Sequence, residues 1–385
     1  MKKTLALLLA AAFAVPAFAG NVLSNVETYG EIETIGIAQT EAAGAKSVAN
    51  QTLFGISADL VEDVRANLTF AYNNAWENRI GETIYDGSGD SYLENIRVAE
   101  ANVVVSNIFG ALETKIGRQY YGNEDSAVMY IGPRHNYYAN LTAPWSQMSL
   151  DGALLTYRGE SLNASAFYAQ MVDMTDERMT GLTLDYAFTN NLVAGAYWYD
   201  FSDEDHEGIW GGRVAYQNEG SKLAVEGAKN YENGVFSHNN VGWMLKADAA
   251  LNLDMEKVAL TPRITYYHSE KEFFAAGNYT AGLLLGNAAG AFSINGEDWK
   301  VLNAGIDFGV KALEKVTFAF DYVNAKVNNE WLGNEFDLTA KYQHNDYVTF
   351  TLGGGILTNA AENNSTIPLD GSDIYVGQLG MLIKF

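Results

Sequence analysis

The feature that most constrains this chain is an alternation of apolar and polar residues that recurs along its length. Segments 64–72, 182–188, 316–322 and 336–343 each place apolar side chains on one face of an extended strand and mainly polar ones on the other. Strands that are apolar on one face only occur in antiparallel sandwiches and in transmembrane barrels. The pattern therefore predicts an all-β protein and leaves these two architectures open.

The connections between the strands distinguish the two architectures. Short polar connections such as 62–63, 189–191 and 344–346 alternate with longer ones rich in Gly, Asn, Asp and Glu. The longer connections are residues 39–50, 77–91, 120–148, 202–208, 269–297, 327–334 and 359–372. Outer-membrane barrels combine short periplasmic turns with long extracellular loops. We therefore predict a transmembrane antiparallel β-barrel of about eighteen strands, an even number within the range of such barrels.

Residues 1–19 have the organisation of a secretory signal peptide. Lys2 and Lys3 precede an apolar run, and the segment 17–19 forms a small-x-small cleavage site. Cleavage removes two of the 24 basic residues and leaves 22 against 47 acidic ones, a net charge of −25. Such a segment is too short to remain as a membrane anchor. We expect an exported chain whose residues 20–385 form a single outer-membrane β-barrel domain.

The last strand adds a second targeting feature. Residues 373–385 alternate between two faces and end in Phe385. A terminal phenylalanine on such a strand resembles the signal that is read by the bacterial barrel assembly machinery. Phe385 is therefore the predicted assembly signal, and the bacterial cell outer membrane is the predicted location. The predicted partners are this machinery and the surrounding outer-membrane lipids and lipopolysaccharide.

Composition excludes several classes of function. The absence of cysteine rules out disulfide scaffolds and Cys-ligated metal sites. A net charge of −23 argues against nucleic-acid binding, which needs a basic surface. The acidic cluster 203–207 offers carboxylates to a divalent cation, but it lacks the ligand spacing of an EF-hand and fits a solvated loop better. No cofactor and no metal site are predicted.

Placing the apolar faces outward leaves a polar inner wall. The charged residues predicted to line it are Arg65, Arg97, Lys115, Arg213, Lys246, Arg263, Lys341, Glu113, Asp151, Asp185, Glu226, Asp248, Asp307, Asp321 and Asp337. Seven of these are basic and eight are acidic, so the wall is close to neutral and most of the acidic excess lies in the long loops. A β-bulge near Arg97 or Asp151 would move these side chains to the other face.

The connection 120–148 is the candidate constriction, because a long early loop that folds inward would narrow the lumen. The predicted constriction residues are Arg118, Tyr120, Tyr121, Arg134 and Trp145. Aromatic rings there would stack on the faces of sugars, and the guanidinium of Arg134 would bind a carboxylate or a hydroxyl group. The alternative interpretation is that the rings only pack the loop against the wall.

One block of the chain resembles a known family. The segment 115–125 (KIGRQYYGNED) resembles the Gly-Arg-Gln…Tyr-Gly segment of alginate-export-type porins, and 149–157 (SLDGALLTY) looks like their Phe-Asp-Gly strand. The resemblance implies an outer-membrane barrel of the predicted strand number. Leu150 stands where the family has phenylalanine, and a leucine stands at 154 or 155 where it has arginine. Alginate export in the family depends on a strongly basic pore, whereas the wall predicted here is close to neutral.

These features predict an outer-membrane porin, a water-filled channel for passive diffusion or export of small hydrophilic solutes. Sugars and oligosaccharides are the candidate solutes, and acidic loops at the mouth predict a mild preference for cations. One alternative is a barrel enzyme of the lipase or protease type, for which His268 beside Ser269 is the best candidate pair. A second alternative is a structural or adhesin barrel. The oligomeric state is open between a monomer and a homotrimer.

Overall fold

The described part of the chain consists almost entirely of β-strands. The structure, a computed structural model, describes residues 23–40, 46–75, 96–124, 126–133, 149–171, 178–202, 207–231, 242–270, 272–277, 279–285, 297–358 and 373–385. The signal peptide predicted at 1–19 lies outside these ranges and stays a prediction. Among the described residues, no helix is long and apolar enough to cross a membrane.

The strands follow one another along the whole described chain. The first ten are β1 (Ser24–Gln39), β2 (Lys46–Val61), β3 (Val64–Ala75), β4 (Ile96–Ile108), β5 (Leu112–Gln119), β6 (Tyr121–Gly122), β7 (Tyr130–Ile131), β8 (Leu150–Arg158), β9 (Leu162–Met171) and β10 (Arg178–Thr189). The remaining ones are β11 (Leu192–Ser202), β12 (Glu207–Gln217), β13 (Ser221–Tyr231), β14 (Trp243–Leu251), β15 (Leu253–Asp254), β16 (Val258–Ser269), β17 (Trp299–Val310), β18 (Val316–Val327), β19 (Glu330–Gln343), β20 (Val348–Thr358) and β21 (Ile374–Lys384).

The sheet closes on itself as an antiparallel barrel. Each barrel strand pairs with the next one along the chain, and β1 pairs with β21 from Glu31↔Lys384 to Gln39↔Val376. β14 and β15 are two parts of one strand that is interrupted at Asn252, and both pair with β16. β6 and β7 form a small hairpin apart from the barrel sheet. The barrel therefore has eighteen strands, and the predicted fold class is confirmed.

The alternation in the sequence separates the two faces of the wall. Leu182 and Leu184 of β10 are 50 % and 48 % exposed on the outer surface. Thr183, between them, exchanges a hydrogen bond of 2.6 Å with Ser165 on the inner face. An outer surface of exposed leucine and aromatic side chains matches the apolar band that a transmembrane barrel presents to lipid.

The two ends of the barrel differ in their connections. We call the end with the tight connections, such as 62–63, 159–161 and 344–347, the turn end, and the opposite end the loop end. By the rule for outer-membrane barrels, the turn end faces the periplasm and the loop end faces the outside.

Three of the predicted loops are shorter than expected. The predicted loop 327–334 is wrong, because Asn328 and Asn329 both adopt a left-handed backbone (φ 50° and 65°) and close a two-residue hairpin turn. Residues 330–334 belong to β19 instead. In the same way, β1 and β2 are separated by 40–45 only, and β11 and β12 by 203–206 only.

Two further connections at the loop end were not among the predicted ones. They are residues 172–177, between β9 and β10, and residues 232–241, between β13 and β14. Both follow strands whose apolar pattern fades into short polar stretches, so the sequence gives a weak signal for them.

Phe385 lies at the seam where the barrel closes. Its N–H donates to the carbonyl of Gly30 at 3.0 Å, and the N–H of Gly30 donates to the carbonyl of Phe385 at 2.9 Å. Its ring, 49 % exposed on the outer surface, has its centroid 6.5 Å from that of Phe54. The terminal residue thus takes part in the pairing that seals the barrel, while its role as an assembly signal stays a prediction.

We expect the two faces of β19 to differ in their tolerance of charge. Leu338 is 55 % exposed toward lipid, so Leu338→Arg should destabilise the barrel by about 2–4 kcal/mol in a bilayer. Thr339→Arg places the same charge one residue away on the inner face and should have little effect. The measurement is the free energy of unfolding in lipid vesicles by denaturant titration. Equal costs for the two variants would contradict the assignment of the faces.

Candidate functional site

The segment that follows β5 turns into the barrel interior. Tyr120 packs against Leu53 and Ala71 of β2 and β3. The ring centroid of Tyr121 lies 4.3 Å from that of Phe167 on β9. Burial raises the pKa of both phenols, which therefore stay protonated and neutral. These two predicted constriction residues thus lie inside the barrel and contact its wall on opposite sides of β5.

A carboxylate of the wall anchors this first inserted segment, residues 120–124 and 126–133. Ser126 Oγ donates to Glu226 Oε1 at 3.2 Å, and the N–H of Ala127 donates to Glu226 Oε2 at 3.3 Å. The hydroxyl of Tyr197 donates to the same carboxylate at 3.3 Å. Glu226, which belongs to β13, therefore fixes a loop that begins six barrel strands earlier in the chain.

A second inserted segment, residues 272–277 and 279–285, enters the barrel from the connection between β16 and β17. The N–H of Leu283 donates to Asp337 Oδ2 at 3.1 Å. The next two N–H groups donate to the oxygens of Glu335 at 2.5 and 2.9 Å. Gly282 precedes them with φ +75°, and a Cβ atom there would overlap the Glu335 carboxylate, so only glycine fits. The carboxylates of β19 thus hold the second segment as Glu226 holds the first.

The two inserted segments meet inside the barrel. The N–H of Tyr130 donates to the carbonyl of Ala276 at 2.8 Å, and the N–H of Ala276 donates to the carbonyl of Val128 at 3.0 Å. Met129 and Ala276 form a parallel bridge between the segments. The backbone hydrogen bonds make the two segments one continuous obstruction across the lumen, although they are about 150 residues apart in the chain.

The inner wall at the loop end is apolar and packs around these segments. It contributes buried side chains from most barrel strands, among them Ile35, Leu150, Phe167, Met179, Ile209, Met244, Trp299, Val301, Val323, Leu332, Leu357 and Val376. The inserted segments contribute Val128, Met129, Ile131, Phe273, Leu284 and Leu285. The barrel therefore has a hydrophobic core in the loop half of its interior, and polar groups line the turn half.

A cavity of about 410 Å³ lies in the polar half, directly beneath the first inserted segment. Its lining includes Tyr121, Tyr130, Tyr197, Asp185, Arg213 and Glu226. Aromatic faces next to hydrogen-bonding groups of both charges suit a small polar solute with apolar ring faces.

Two arginines of the wall each reach a carboxylate two strands away by crossing a glycine. Arg213 on β12 binds Asp185 on β10, with its Nη2 3.0 Å from Asp185 Oδ1. Gly195 on β11 lies between them in register, and a Cβ atom there would overlap the Asp185 carboxylate. The absence of a side chain on the middle strand therefore allows the ion pair to form across it.

The second crossing arginine is Arg263 on β16. It lies over Gly305 of β17 and binds Asp321 of β18 through two contacts, Nη1–Oδ1 at 2.6 Å and Nη2–Oδ2 at 2.7 Å. Its Nε and Nη2 also bind Asp307 at 3.1 and 3.2 Å. The guanidinium is thus held by two carboxylates in a fixed orientation.

Two further predicted wall residues, Arg65 and Glu113, also lie on the inner face. Arg65 binds Glu27 and Asp59 near the turn end. Glu113 binds Arg158 at 2.9 Å, also near the turn end.

Two more predicted wall residues are placed by their cross-strand partners. Lys115 is paired in register with Leu154, which lines the cavity. Arg97 is paired with Ala71. A bulge between Thr69 and Phe70 shifts the register of β3 and β4, and this shift keeps Arg97 on the inner face. Each lies where the sequence predicted it, while its part in transport stays a prediction.

Arg118 and Asp151 are corrections to the predicted interior. Arg118 binds Asp151 at 2.8 Å, and the two are direct cross-strand partners. Asp151 alternates with Leu155 and Tyr157, which are 45 % and 38 % exposed on the outer surface. The pair therefore faces outward at the loop end and does not line the constriction, because the strand parity is opposite to the one assumed.

Some predicted residues lie outside the described part of the chain, namely Arg134 and Trp145 of the constriction and residues 203–206 of the acidic cluster. Among the residues that are described, no group of three or more His, Asp or Glu side chains is arranged to hold a metal ion.

The candidate pair of an enzyme, His268 and Ser269, lies on opposite faces of β16. His268 faces outward beside Trp243, with its Nε2 3.5 Å from Asp298 Oδ1, while Ser269 is fully buried. This pair therefore does not form a Ser–His dyad.

The inward fold of 272–277 and 279–285, and the anchor Glu335 that holds it, were not predicted from the sequence. The available signal was an apolar stretch within a predicted extracellular loop. Such a stretch, which includes Leu283, Leu284 and Leu285, is costly to leave in water and so favours insertion into the barrel.

The fold is shared with solved outer-membrane proteins of Pseudomonas aeruginosa. The structure of OccD3 (OpdP) is 14% identical at a TM-score of 0.60, with 95% of this chain and 92% of that chain covered. The outer membrane protein OpdK is 11% identical at a TM-score of 0.63, covering 95% and 100%. OprD is 15% identical at a TM-score of 0.59, covering 96% and 97%.

The TM-scores establish a common barrel fold. No protein-family model matches the chain, and no curated protein matches its sequence. The predicted location in the bacterial outer membrane is confirmed by the fold.

Arg263 reaches Asp321 across Gly305, and we expect a single methyl group at position 305 to disturb this ion pair. In Gly305→Ala the new Cβ would lie 2.6 Å from Asp321 Oδ1 and 2.8 Å from Arg263 Cζ. The ion pair would have to move, at a cost of about 1–3 kcal/mol in the free energy of unfolding. Gly309→Ala on the same strand is the control, because nothing lies within 4 Å of its Cβ. Denaturant titration in vesicles measures both, and equal stability would contradict the crossing geometry.

Proposed function

We propose that the chain forms a water-filled channel that carries small hydrophilic solutes across the outer membrane. The observation that carries the proposal is the inner wall of the turn half, where charged side chains of both signs form ion pairs while remaining partly exposed. The side chains of Arg213 and Asp185 are 39% and 29% exposed, and those of Arg263 and Asp307 are 31% and 45% exposed. Such groups are stable inside a barrel only where water solvates them.

The width of the barrel supports the same proposal. Barrels of 16 to 18 strands are wide enough to leave an aqueous lumen when side chains alone line it. The two inserted segments reduce this lumen at the loop half, so the channel is a restricted one. Solutes would meet the inserted segments first and the cavity second, if they enter from the loop end.

The cavity beneath the first inserted segment suits sugars among the hydrophilic solutes. The ring faces of Tyr121 and Tyr130 offer apolar contact, and Asp185 and Glu226 offer acceptors for hydroxyl groups. Arg213 and Asp185 compensate each other, and Glu226 adds a negative charge to the lining, so the site does not favour acidic solutes. Sugars and oligosaccharides are therefore our proposed solutes, in either direction of passage.

Membership of the alginate-export family stays a prediction, and the geometry offers it limited support. Arg118, the arginine of the Gly-Arg-Gln segment, binds Asp151 on the outer face. Three arginines of the inner wall, Arg65, Arg213 and Arg263, are each paired with a carboxylate. A polyuronate needs free positive charge along its path, so a neutral solute fits this wall better.

We expect the channel to prefer cations mildly, and only at low salt. The chain carries a net charge of −23, and the paired inner wall leaves most of this excess to the mouth. At 0.01 M salt the Debye length of about 30 Å spans the mouth, whereas at 1 M it falls to about 3 Å. The reversal potential across a planar bilayer under a salt gradient measures the preference at both concentrations.

The acidic cluster provides the matched variant for this measurement. Neutralising Asp203, Glu204, Asp205 and Glu207 together should reduce the low-salt preference without changing the conductance at high salt. A clear anion preference of the unmodified channel at low salt would contradict the proposal and favour a polyuronate. An absence of conductance would favour a structural or adhesin barrel.

We expect the second inserted segment to loosen when its anchor is removed. Glu335→Ala leaves the N–H groups of Leu284 and Leu285 without their acceptor in apolar surroundings. The segment should then leave the lumen part of the time, with a higher mean conductance and frequent steps between levels. Single-channel recording measures both quantities.

The control for the anchor is Glu113→Ala, which removes a wall carboxylate bound to Arg158 and Ser106 near the turn end. It contacts neither inserted segment in the described structure, so its single-channel record should stay steady. Identical records for the two variants would show that Glu335 does not hold an obstruction in the path of ions.

A further inference from the structure

The outer surface carries a band of tryptophan and basic side chains at the loop end. The band covers seven consecutive barrel strands from β12 to β19, with β14 and β15 counted as one strand. Each of these strands has an outward-facing tryptophan or basic side chain near the loop end. The seven residues, which we call the Trp–Lys band, are Trp210, Lys229, Trp243, His268, Lys300, Lys326 and Trp331. The order of strands thus brings together residues that are spread over 120 positions of the sequence.

Cross-strand pairing puts most of the band in one row. Lys229 is paired with both Trp210 and Trp243, and Lys300 is paired with both His268 and Lys326. Neighbouring strands are about 4.8 Å apart, so the Cα atoms of Lys300 and its two neighbours lie within about 10 Å.

The band is continuous and accessible. The rings of Trp243 and His268 pack edge to face with centroids 4.8 Å apart, which links its two parts. Trp210 and Trp331 are 48 % and 37 % exposed.

The contacts within the band leave positive charge available. Lys300 Nζ donates to Asn329 Oδ1 at 2.8 Å and lies 3.7 Å from Asp298 Oδ2. Asp298 also lies 3.5 Å from His268, so one carboxylate serves both groups. The exposed ammonium groups of Lys229 and Lys326 have no ion pair with any described residue. Of the three lysines of the band, only Lys300 has an ion pair with a described carboxylate.

The outward-facing basic side chains lie at one end of the barrel. Among the strand residues whose side chains the structure describes, the lysines and arginines that face outward are Arg118, Arg178, Lys229, Lys300 and Lys326. All five lie at the loop end of their strands. The turn end has lysines only in its turns or on the inner face, and one of them, Lys311, binds Asp254.

A net charge of −23 makes this arrangement informative. In a chain with that excess of acid, basic side chains on the lipid-facing surface are concentrated at one rim. Lysine is costly at the middle of a bilayer but nearly neutral at its interface, where tryptophan is also enriched. The rim at the loop end meets the outer leaflet, whose lipopolysaccharide carries phosphate groups at that depth.

We propose that the Trp–Lys band binds the phosphate groups of lipopolysaccharide in the outer leaflet. Lys229, Lys300 and Lys326 supply the charge, and His268 supplies a further donor. The tryptophans pack against the sugar and acyl parts of the same lipid, whose boundary lies at their level. The inference is independent of the proposed channel, because the band faces away from the lumen.

The test compares two triple variants of the refolded full-length barrel. Lys229→Gln, Lys300→Gln and Lys326→Gln remove the charge of the band. Lys257→Gln, Lys311→Gln and Lys315→Gln remove the same charge from the turn end. Each lysine near an anionic surface contributes about a factor of five to binding, so the first triple should weaken lipopolysaccharide binding about a hundredfold. The second should leave it nearly unchanged.

Titration with purified lipopolysaccharide in detergent measures the affinity, and the same titration with dephosphorylated lipopolysaccharide isolates the phosphate contribution. Gel mobility with and without heating verifies that each variant is folded, and unchanged conductance verifies that the lumen is intact. If both triple variants bind lipopolysaccharide equally weakly, the effect comes from net charge alone and the proposal is overturned. Unchanged binding by the first triple variant would also overturn it. Binding of inorganic phosphate at the same concentrations would also overturn it, because the site would then be one for a free anion.

Discussion

Closure of the sheet is the constraint on which the rest of this structure depends. In a bilayer, every backbone N–H and carbonyl group needs a partner within the protein, so a sheet with open edges is not stable there. Pairing of β1 with β21 removes both edges, and the reciprocal hydrogen bonds between Gly30 and Phe385 complete it. Because the circle has eighteen strands, its interior is too wide for wall side chains to fill. The interior must therefore hold water, inserted chain, or both.

The two halves of this barrel differ in what lines and fills them. In the loop half, the wall turns apolar side chains such as Trp299 and Val301 inward and packs them against the two inserted segments. In the turn half, the wall carries ion pairs such as Arg213–Asp185 and Arg263–Asp321. The inserted segments are joined to each other by backbone hydrogen bonds and to the wall by carboxylates. In the proposed channel, the segments would set the width of the path and the wall would set its polarity.

The same division explains the outer surface. At mid-height, the outer side chains are leucines and aromatic residues that match lipid tails. At the loop end, the inner face is apolar, and basic and tryptophan side chains occupy the outer face. For example, Lys326 faces outward between Ala325 and Val327, which are buried on the inner face. The polarity of the two faces is thus reversed near the rim relative to the turn half. Such a reversal is stable because the rim borders lipid headgroups on the outside and an apolar core on the inside.

Period-two alternation and the alternating lengths of the connections were enough to predict a barrel of about eighteen strands, since these follow from local pattern. The same alternation placed Arg65, Asp185, Arg213 and Arg263 on the inner face, because parity is preserved along an unbroken strand. It failed for Arg118 and Asp151, whose strands are short and flanked by a long connection that gives no parity reference. It also could not reveal the second inserted segment, the anchors Glu335 and Glu226, or the crossing of Gly195 and Gly305. Those features depend on which strands become neighbours and how they are staggered, and only closure of the whole barrel decides that.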